Sequence, residues 1–383
     1  DPGEGVQGEQ RSPCGNRHAH CFAIPETNGH QPAAQERRIM TTTRRTLLAA
    51  AGGLLATPRI ADAQGALTPI RFSLDWAFQG PQAPYLLALE RGYYRDEGLA
   101  VTIDRGFGAG DVPVKIATGA YEFGVGDISA TIRLRLTQPG TDVICPFVLA
   151  QGSPLSAITL RRTNIRAPKD LEGKRIAAPE TDGGRQFFPA FARATSVDTA
   201  RINWITVTPQ LREPMLARGD ADAITGFETS GVFSLLALGV PRADIVVMRY
   251  SSFGVALLST GLQVRKSYAD ANPRIVTGMI RAIIRGHLDA LRDPDAAIAA
   301  LVRRDATAPV ALEKERLAAN FEFVRTPEVL SGGFGNLAMP RVQASIETIR
   351  AAFNISATLA AEDFYQPQFL PPAEQLRLPA AAG

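Results

Sequence analysis

Five short segments carry the residues best placed for chemistry. They are Asp75-Trp76-Ala77-Phe78-Gln79-Gly80-Pro81, Gly106-Phe107-Gly108-Ala109-Gly110-Asp111, residues 126–129, Pro179-Glu180-Thr181-Asp182-Gly183-Gly184 and Gly226-Phe227-Glu228-Thr229. Each follows a β-type apolar run and precedes a helical pattern. That order leaves unpaired backbone N–H groups at the positive end of a helix. The glycines let a ligand approach the backbone closely. In open α/β sheets, ligands bind beyond the carboxyl ends of strands, where such loops meet helices. The pattern recurs in two blocks of the chain, which points to one shared cleft. The run from Gly106 to Gly110 misses the third spacing of G-x-G-x-x-G, and no GxxxxGK[ST] occurs, so no nucleotide cofactor is expected.

Composition narrows the chemistry. The 383 residues are 45% hydrophobic and 21% charged, with a net charge of +3, as in an ordinary globular protein. A balance so near zero gives no argument for nucleic acid. The first methionine is Met40, and residues 1–39 have no apolar period, so they read as a disordered upstream extension. From Met40, Arg44-Arg45 precede an uncharged run from Leu47 to Pro58, which ends in Ala61-Asp62-Ala63. These are the parts of a signal peptide over 40–63 of twin-arginine type. The run is shorter than the ~20 residues a spanning helix needs. Cleavage near Ala63 would remove Cys14, Cys21, His18, His20 and His30, leaving Cys145 and His287. An internal disulfide and a Cys/His zinc site are then excluded, and Ser–His or Cys–His catalysis would require His287. His287 falls inside a helical pattern from Pro273 to about Arg303 and reads as a packing or solvated residue. Carboxylate catalysis stays open: Asp127 with Glu180 or Asp182 could serve an exported hydrolase.

Short β runs alternating with amphipathic helices predict an α/β fold with mostly parallel sheets. The β runs fall at 70–74, 100–104, 122–125, 143–150 and 157–160, then at 175–178, 203–207, 223–225, 244–248 and 255–259. After Gly261 the pattern is helical, at about 273–303, 309–322 and 341–352. The Pro- and Ala-rich end, 372–383, reads as a flexible tail.

Several segments together resemble a known family. They are Leu74-Asp75-Trp76, the run from Ala83 to Tyr94, Gly98-Leu99-Ala100-Val101, Val125-Gly126-Asp127, Asp170-Leu171-Glu172-Gly173-Lys174, Arg218-Gly219-Asp220-Ala221-Asp222-Ala223 and Asp363-Phe364-Tyr365 with Phe369-Leu370-Pro371. In order and spacing they resemble the type II periplasmic solute-binding proteins of ABC importers. The nearest branch is the thiamine-pyrimidine-precursor-synthesis-like one, beside the nitrate, sulfonate and taurine binders. The resemblance covers nearly all of 68–371. It implies two α/β lobes joined by two crossover strands and closing on a small-molecule ligand like a Venus flytrap. It further implies a non-enzymatic, cofactor-free periplasmic protein, read here as a monomer, that delivers its ligand to an inner-membrane permease. Lobe one is placed at 65–160 plus 260–371, and lobe two at 161–259.

Carried over residue by residue, the resemblance puts Asp75, Trp76, Gln79, Tyr85, Gly108, Gly110, Asp111, Asp127 and Ser129 on the lobe-one side of the cleft. Lobe two would offer Glu180, Thr181, Asp182, Gly183, Phe227 and Glu228. The family's second loop often reads Gly-x-Gly-Ser, whereas here Asp111 follows Gly110. An acid there repels an anion. The carboxylates accept hydrogen bonds from amino or ring N–H groups, and Trp76, Phe107, Phe187 and Phe227 could stack on a flat ring. An aminopyrimidine or similar N-heterocycle is therefore expected before a sulfonate, nitrate or taurine-type anion. Phe187, Phe227 and Trp204 have a second reading as core residues, and Asp182 as a helix cap.

Overall fold

The structure, a computed structural model, describes residues 66–379. The upstream extension and the signal peptide expected over 40–63 lie outside the described residues.

Ten strands form two five-stranded sheets. They are β1 (Thr68–Ser73), β2 (Leu99–Asp104), β3 (Phe123–Asp127), β4 (Val143–Val148), β5 (Leu155–Leu160), β6 (Arg175–Ala178), β7 (Asn203–Thr206), β8 (Ala223–Phe227), β9 (Ile245–Arg249) and β10 (Thr260–Arg265). The first sheet has the order β2-β1-β3-β10-β4, the second β7-β6-β8-β5-β9. On β2 the alternation is clean: Leu99, Val101 and Ile103 point inward, with Ala100, Thr102 and Asp104 outward. β4 and β5 are buried along their whole length; β4 reads as an unbroken apolar run, whereas β5 carries the buried hydroxyls Ser156 and Thr159.

Helix Ala83–Glu90 packs on the long helix Pro273–Arg292 beneath the first sheet. Gly92, in the left-handed conformation at φ 75°, ends the first of these, as its position after Arg91 predicts. Helix Val310–Val324 touches both halves of the molecule: the turn at Gly80–Gln82 on one side and helix Glu228–Ala237 on the other. Helix Met339–Phe353 likewise packs on Ile128–Thr137 and Phe188–Thr195.

The structure corrects the sequence reading in several places. The sheets are mixed rather than mostly parallel: β10 runs antiparallel to β3 and β4, and β5 antiparallel to β8 and β9. A lobe boundary at 160 is too late, because β5 pairs entirely within the second sheet. The chain crosses between sheets over 149–154 and again over 250–259. The strand expected at 255–259 lies in that second crossing, and the paired strand is the next segment, Thr260–Arg265. The helix expected over 273–303 is two helices meeting at Asp293, since Pro294 cannot continue the hydrogen-bond ladder. The end of the chain is not a loose tail throughout: Ala373–Leu376 forms a 3-10 turn, Leu376 is buried, and its carbonyl accepts from Phe334 N at 2.7 Å.

Candidate ligand-binding cleft

The loops at the carboxyl ends of β1, β2 and β3 face those of β6 and β8, and the two sides touch. Gly106 N donates to Trp76 O at 2.8 Å and Gly108 N to Asp75 O at 3.0 Å, which ties the first two loops of the first sheet together. Across the cleft, Gly110 N donates to Thr181 O at 3.2 Å, Thr181 Oγ1 to Phe107 O at 3.0 Å, and Ser230 Oγ to Gln79 Oε1 at 3.0 Å. Position 108 must be glycine for this contact, because a Cβ there would collide with Thr181.

Two small cavities remain between the sides, of about 40 and 30 Å³. Asp75, Trp76, Phe227 and Ser230 line both. The larger adds Gln79, Gln82, Tyr85 and His287, and the smaller adds Asp182, Gly183 and Arg212. Volumes of this size hold a few waters, so a ring-sized ligand needs the sides to part.

The cleft is acidic at its centre. Asp75 is buried, accepts from Gln82 Nε2 at 2.9 Å, and has its pKa raised by desolvation. Asp127 is fully buried. Its Oδ1 caps the following helix by accepting from Ser129 N at 2.8 Å, while Oδ2 has no partner. Burial, reinforced by the Asp75 charge, pushes its pKa up to about 7. A Cβ on Gly183 would stand 3.4 Å from that free oxygen, which places Asp127 just behind the smaller cavity.

Arg212 is the cation of the smaller cavity, and it is fully engaged. Its guanidinium donates to Asp182 Oδ2 at 2.9 Å and to Glu213 Oε1 at 2.6 Å, and it lies over the Trp76 ring with 4.7 Å to the centroid. Asp182 also caps the turn at Gly183 through Arg185 N at 2.9 Å and accepts from Thr225 Oγ1 at 2.8 Å. Two carboxylates therefore hold one guanidinium, leaving the cluster net negative.

The cavities bring together Asp75, Trp76, Gln79, Tyr85, Asp182, Gly183 and Phe227. Gly108, Gly110 and Thr181 form the contact between the sides instead. Five expected residues lie off the cavities. Asp111 pairs with Lys115 at 2.6 Å. Asp127 sits behind the wall. Ser129 is buried and donates to Leu258 O at 2.8 Å in the second crossing. Glu180 is exposed. Glu228 pairs with Arg249 and borders a separate groove with Arg242 and Phe323. Phe107 is 48% exposed and Phe187 lies in the core, so neither offers a ring to the cavities.

Sequence reasoning missed Gln82, Arg212, Ser230 and His287. Ser230 follows directly on the loop Gly226-Phe227-Glu228-Thr229. Gln82, Arg212 and His287 sit within helical patterns whose periodicity says nothing of what faces a cleft.

A family profile described as NMT1/THI5 like matches residues 80–297. The 4-amino-5-hydroxymethyl-2-methylpyrimidine phosphate synthase of Schizosaccharomyces pombe is 26% identical over 237 residues, 59% of this chain and 66% of the enzyme. The riboflavin-binding protein RibY of Chloroflexus aurantiacus is 23% identical over 333 residues, 81% of this chain and 88% of that protein. Among solved structures, the alkanesulfonate-binding protein SsuA from Xanthomonas axonopodis pv. citri, bound to MOPS, superposes with a TM-score of 0.59. It is 14% identical and covers 80% of this chain and 99% of its own. The fold is therefore that of the two-lobed periplasmic binding proteins.

Proposed function

The chain belongs to the NMT1/THI5-like family, and from that premise we propose that it is an exported, monomeric binding protein. Its ligand is an aminopyrimidine or related N-heterocycle, captured between the lobes and handed to an ABC permease in the inner membrane. The observation that carries the reading is the charge of the cleft. Asp75 and Asp182 line the cavities, and the one guanidinium that lines them, Arg212, is held by Asp182 and by Glu213 behind it, while the buried Arg316 nearby pairs with Glu313. Among the residues lining the two cavities, an oxyanion would meet carboxylates and no unpaired cation, whereas ring and amino N–H groups would meet acceptors.

Trp76 and Phe227, from opposite lobes, supply faces for a flat ring, and Arg212 yields its place over Trp76 as the ring enters. The sequence relatives support this choice over the alkanesulfonate that the structural neighbour is named for, since their names speak of a pyrimidine and of riboflavin. The Arg44-Arg45 segment supports export, and no helix among the described residues is long and apolar enough to cross a membrane.

A melting screen with 4-amino-5-hydroxymethyl-2-methylpyrimidine, riboflavin, purines, taurine and nitrate tests the reading. A ligand at 100 times its Kd should add ~2.7 kcal/mol of stability. Stabilisation by taurine or nitrate alone would overturn the heterocycle assignment. Trp76→Ala should weaken binding and leave the fold intact, and unchanged affinity would remove Trp76 from the site. Likeness to the fission-yeast synthase favours a second reading, an enzyme that makes the pyrimidine. Release of a new pyrimidine by the purified protein would support that reading instead.

A further inference from the structure

We propose that the wall of the larger cavity formed by Asp75, Gln82, Tyr85 and His287 is a subsite for a hydrogen-bond-donating substituent of the ligand, with His287 Nε2 as one of its acceptors. The inference rests on reading the cleft as a heterocycle site and assigns the part of it that sets specificity.

The geometry decides which atoms are free. His287 comes from helix Pro273–Arg292 and is 2% exposed. Its Nδ1 lies 2.9 Å from Ile283 O. A carbonyl oxygen only accepts, so Nδ1 carries the hydrogen. Desolvation lowers the pKa of the ring to about 4, and the imidazole is neutral near pH 7. Nε2 is then a bare lone pair, and the bond to Ile283 is the only one this side chain makes among the described residues. The ring is held in place edge-on to Tyr85, with centroids 5.1 Å apart.

Gln82 is arranged the same way. Its Nε2 donates to Asp75 Oδ1 at 2.9 Å, which turns its Oε1 away from the carboxylate, and that oxygen is buried without a partner. His287, Gln82 and Asp75, each carrying an acceptor, thus line one small space together with Tyr85. Buried acceptors without donors are uncommon in folded proteins. A ligand carrying an amino group or adjacent hydroxyls would satisfy them, and a sulfonate or nitrate, having acceptors only, would not.

The test compares 4-amino-5-hydroxymethyl-2-methylpyrimidine with its counterpart bearing methyl in place of the 4-amino group. Calorimetric titration is run on wild type, His287→Phe and Gln82→Met. His287→Phe keeps a ring against Tyr85 and removes the acceptor. Gln82→Met keeps the length and removes Oε1. Wild type should prefer the amino compound by about tenfold or more, and each variant should bring the two ligands close to parity while still binding both. Lack of preference in wild type, or its persistence in both variants, overturns the subsite and leaves the heterocycle reading standing. Binding of neither pyrimidine, with taurine or nitrate bound instead, overturns both.

Discussion

At the scale of single residues, the cleft is governed by which buried charges have partners. Arg212 and the carboxylates of Asp182 and Glu213 are all buried, so the pairs matter less for their attraction than for what is left when one member goes. Arg212→Met strands two carboxylates and should cost about 3–5 kcal/mol, read from urea unfolding at pH 7. Asp127 behaves in the opposite way, because burial penalises its charge. Between the unfolded value near 4 and the folded value of about 7, the folded protein keeps a proton the unfolded chain has lost. This group therefore contributes stability that declines as pH rises through that window. Asp127→Asn keeps the helix cap and has no charge to bury. Its stability relative to wild type should climb from pH 4 to pH 7, by at most about 4 kcal/mol. A constant difference across that range would show that Asp127 titrates normally.

At the scale of elements, the loop that carries Trp76 and Gln79 is braced by helix Val310–Val324. Gly80 N donates to Glu313 Oε2 at 2.6 Å, and a Cβ on Gly80 would stand 2.7 Å from Leu317 N. Backbone meets backbone there, and no side-chain rotation can relieve the clash. Gly80→Ala should therefore destabilise by about 1–3 kcal/mol and loosen binding through the displaced loop, by unfolding and titration respectively. The same helix reaches the second lobe, where Arg316 donates to Ser234 Oγ at 3.3 Å. It is thus in contact with both sides of the cleft.

At the scale of the molecule, the loops on the two sides of the cavities touch through a few polar contacts, at 107–110 with Thr181 and at Gln79 with Ser230, and cavities this small cannot admit a ring without opening. Small-angle scattering should find the ligand-saturated wild type more compact than Gly108→Ala with the same ligand, because the added Cβ strikes Thr181. Faster ligand release from the variant should accompany it. Equal radii of gyration would mean that the 108–181 contact does not limit closure.

The sequence by itself determined the α/β class, nearly all the strands, the loops that build the cleft and seven of the residues that line it. Those features are local: alternation along β2, the Gly92 stop and the strand–loop–helix order each lie within a few residues. The tertiary structure alone decided that β5 belongs to the second sheet, that β10 threads the first antiparallel, and that Gln82, Arg212 and His287 face the cavities. It also decided that Glu180 and Glu228 do not. Such facts depend on partners far along the chain, as Gly80 depends on Glu313 at a separation of 233 residues. A helical period places His287 on a buried face. Whether its free nitrogen meets a protein donor or an open space is settled only when helix, strand and opposing lobe have packed together.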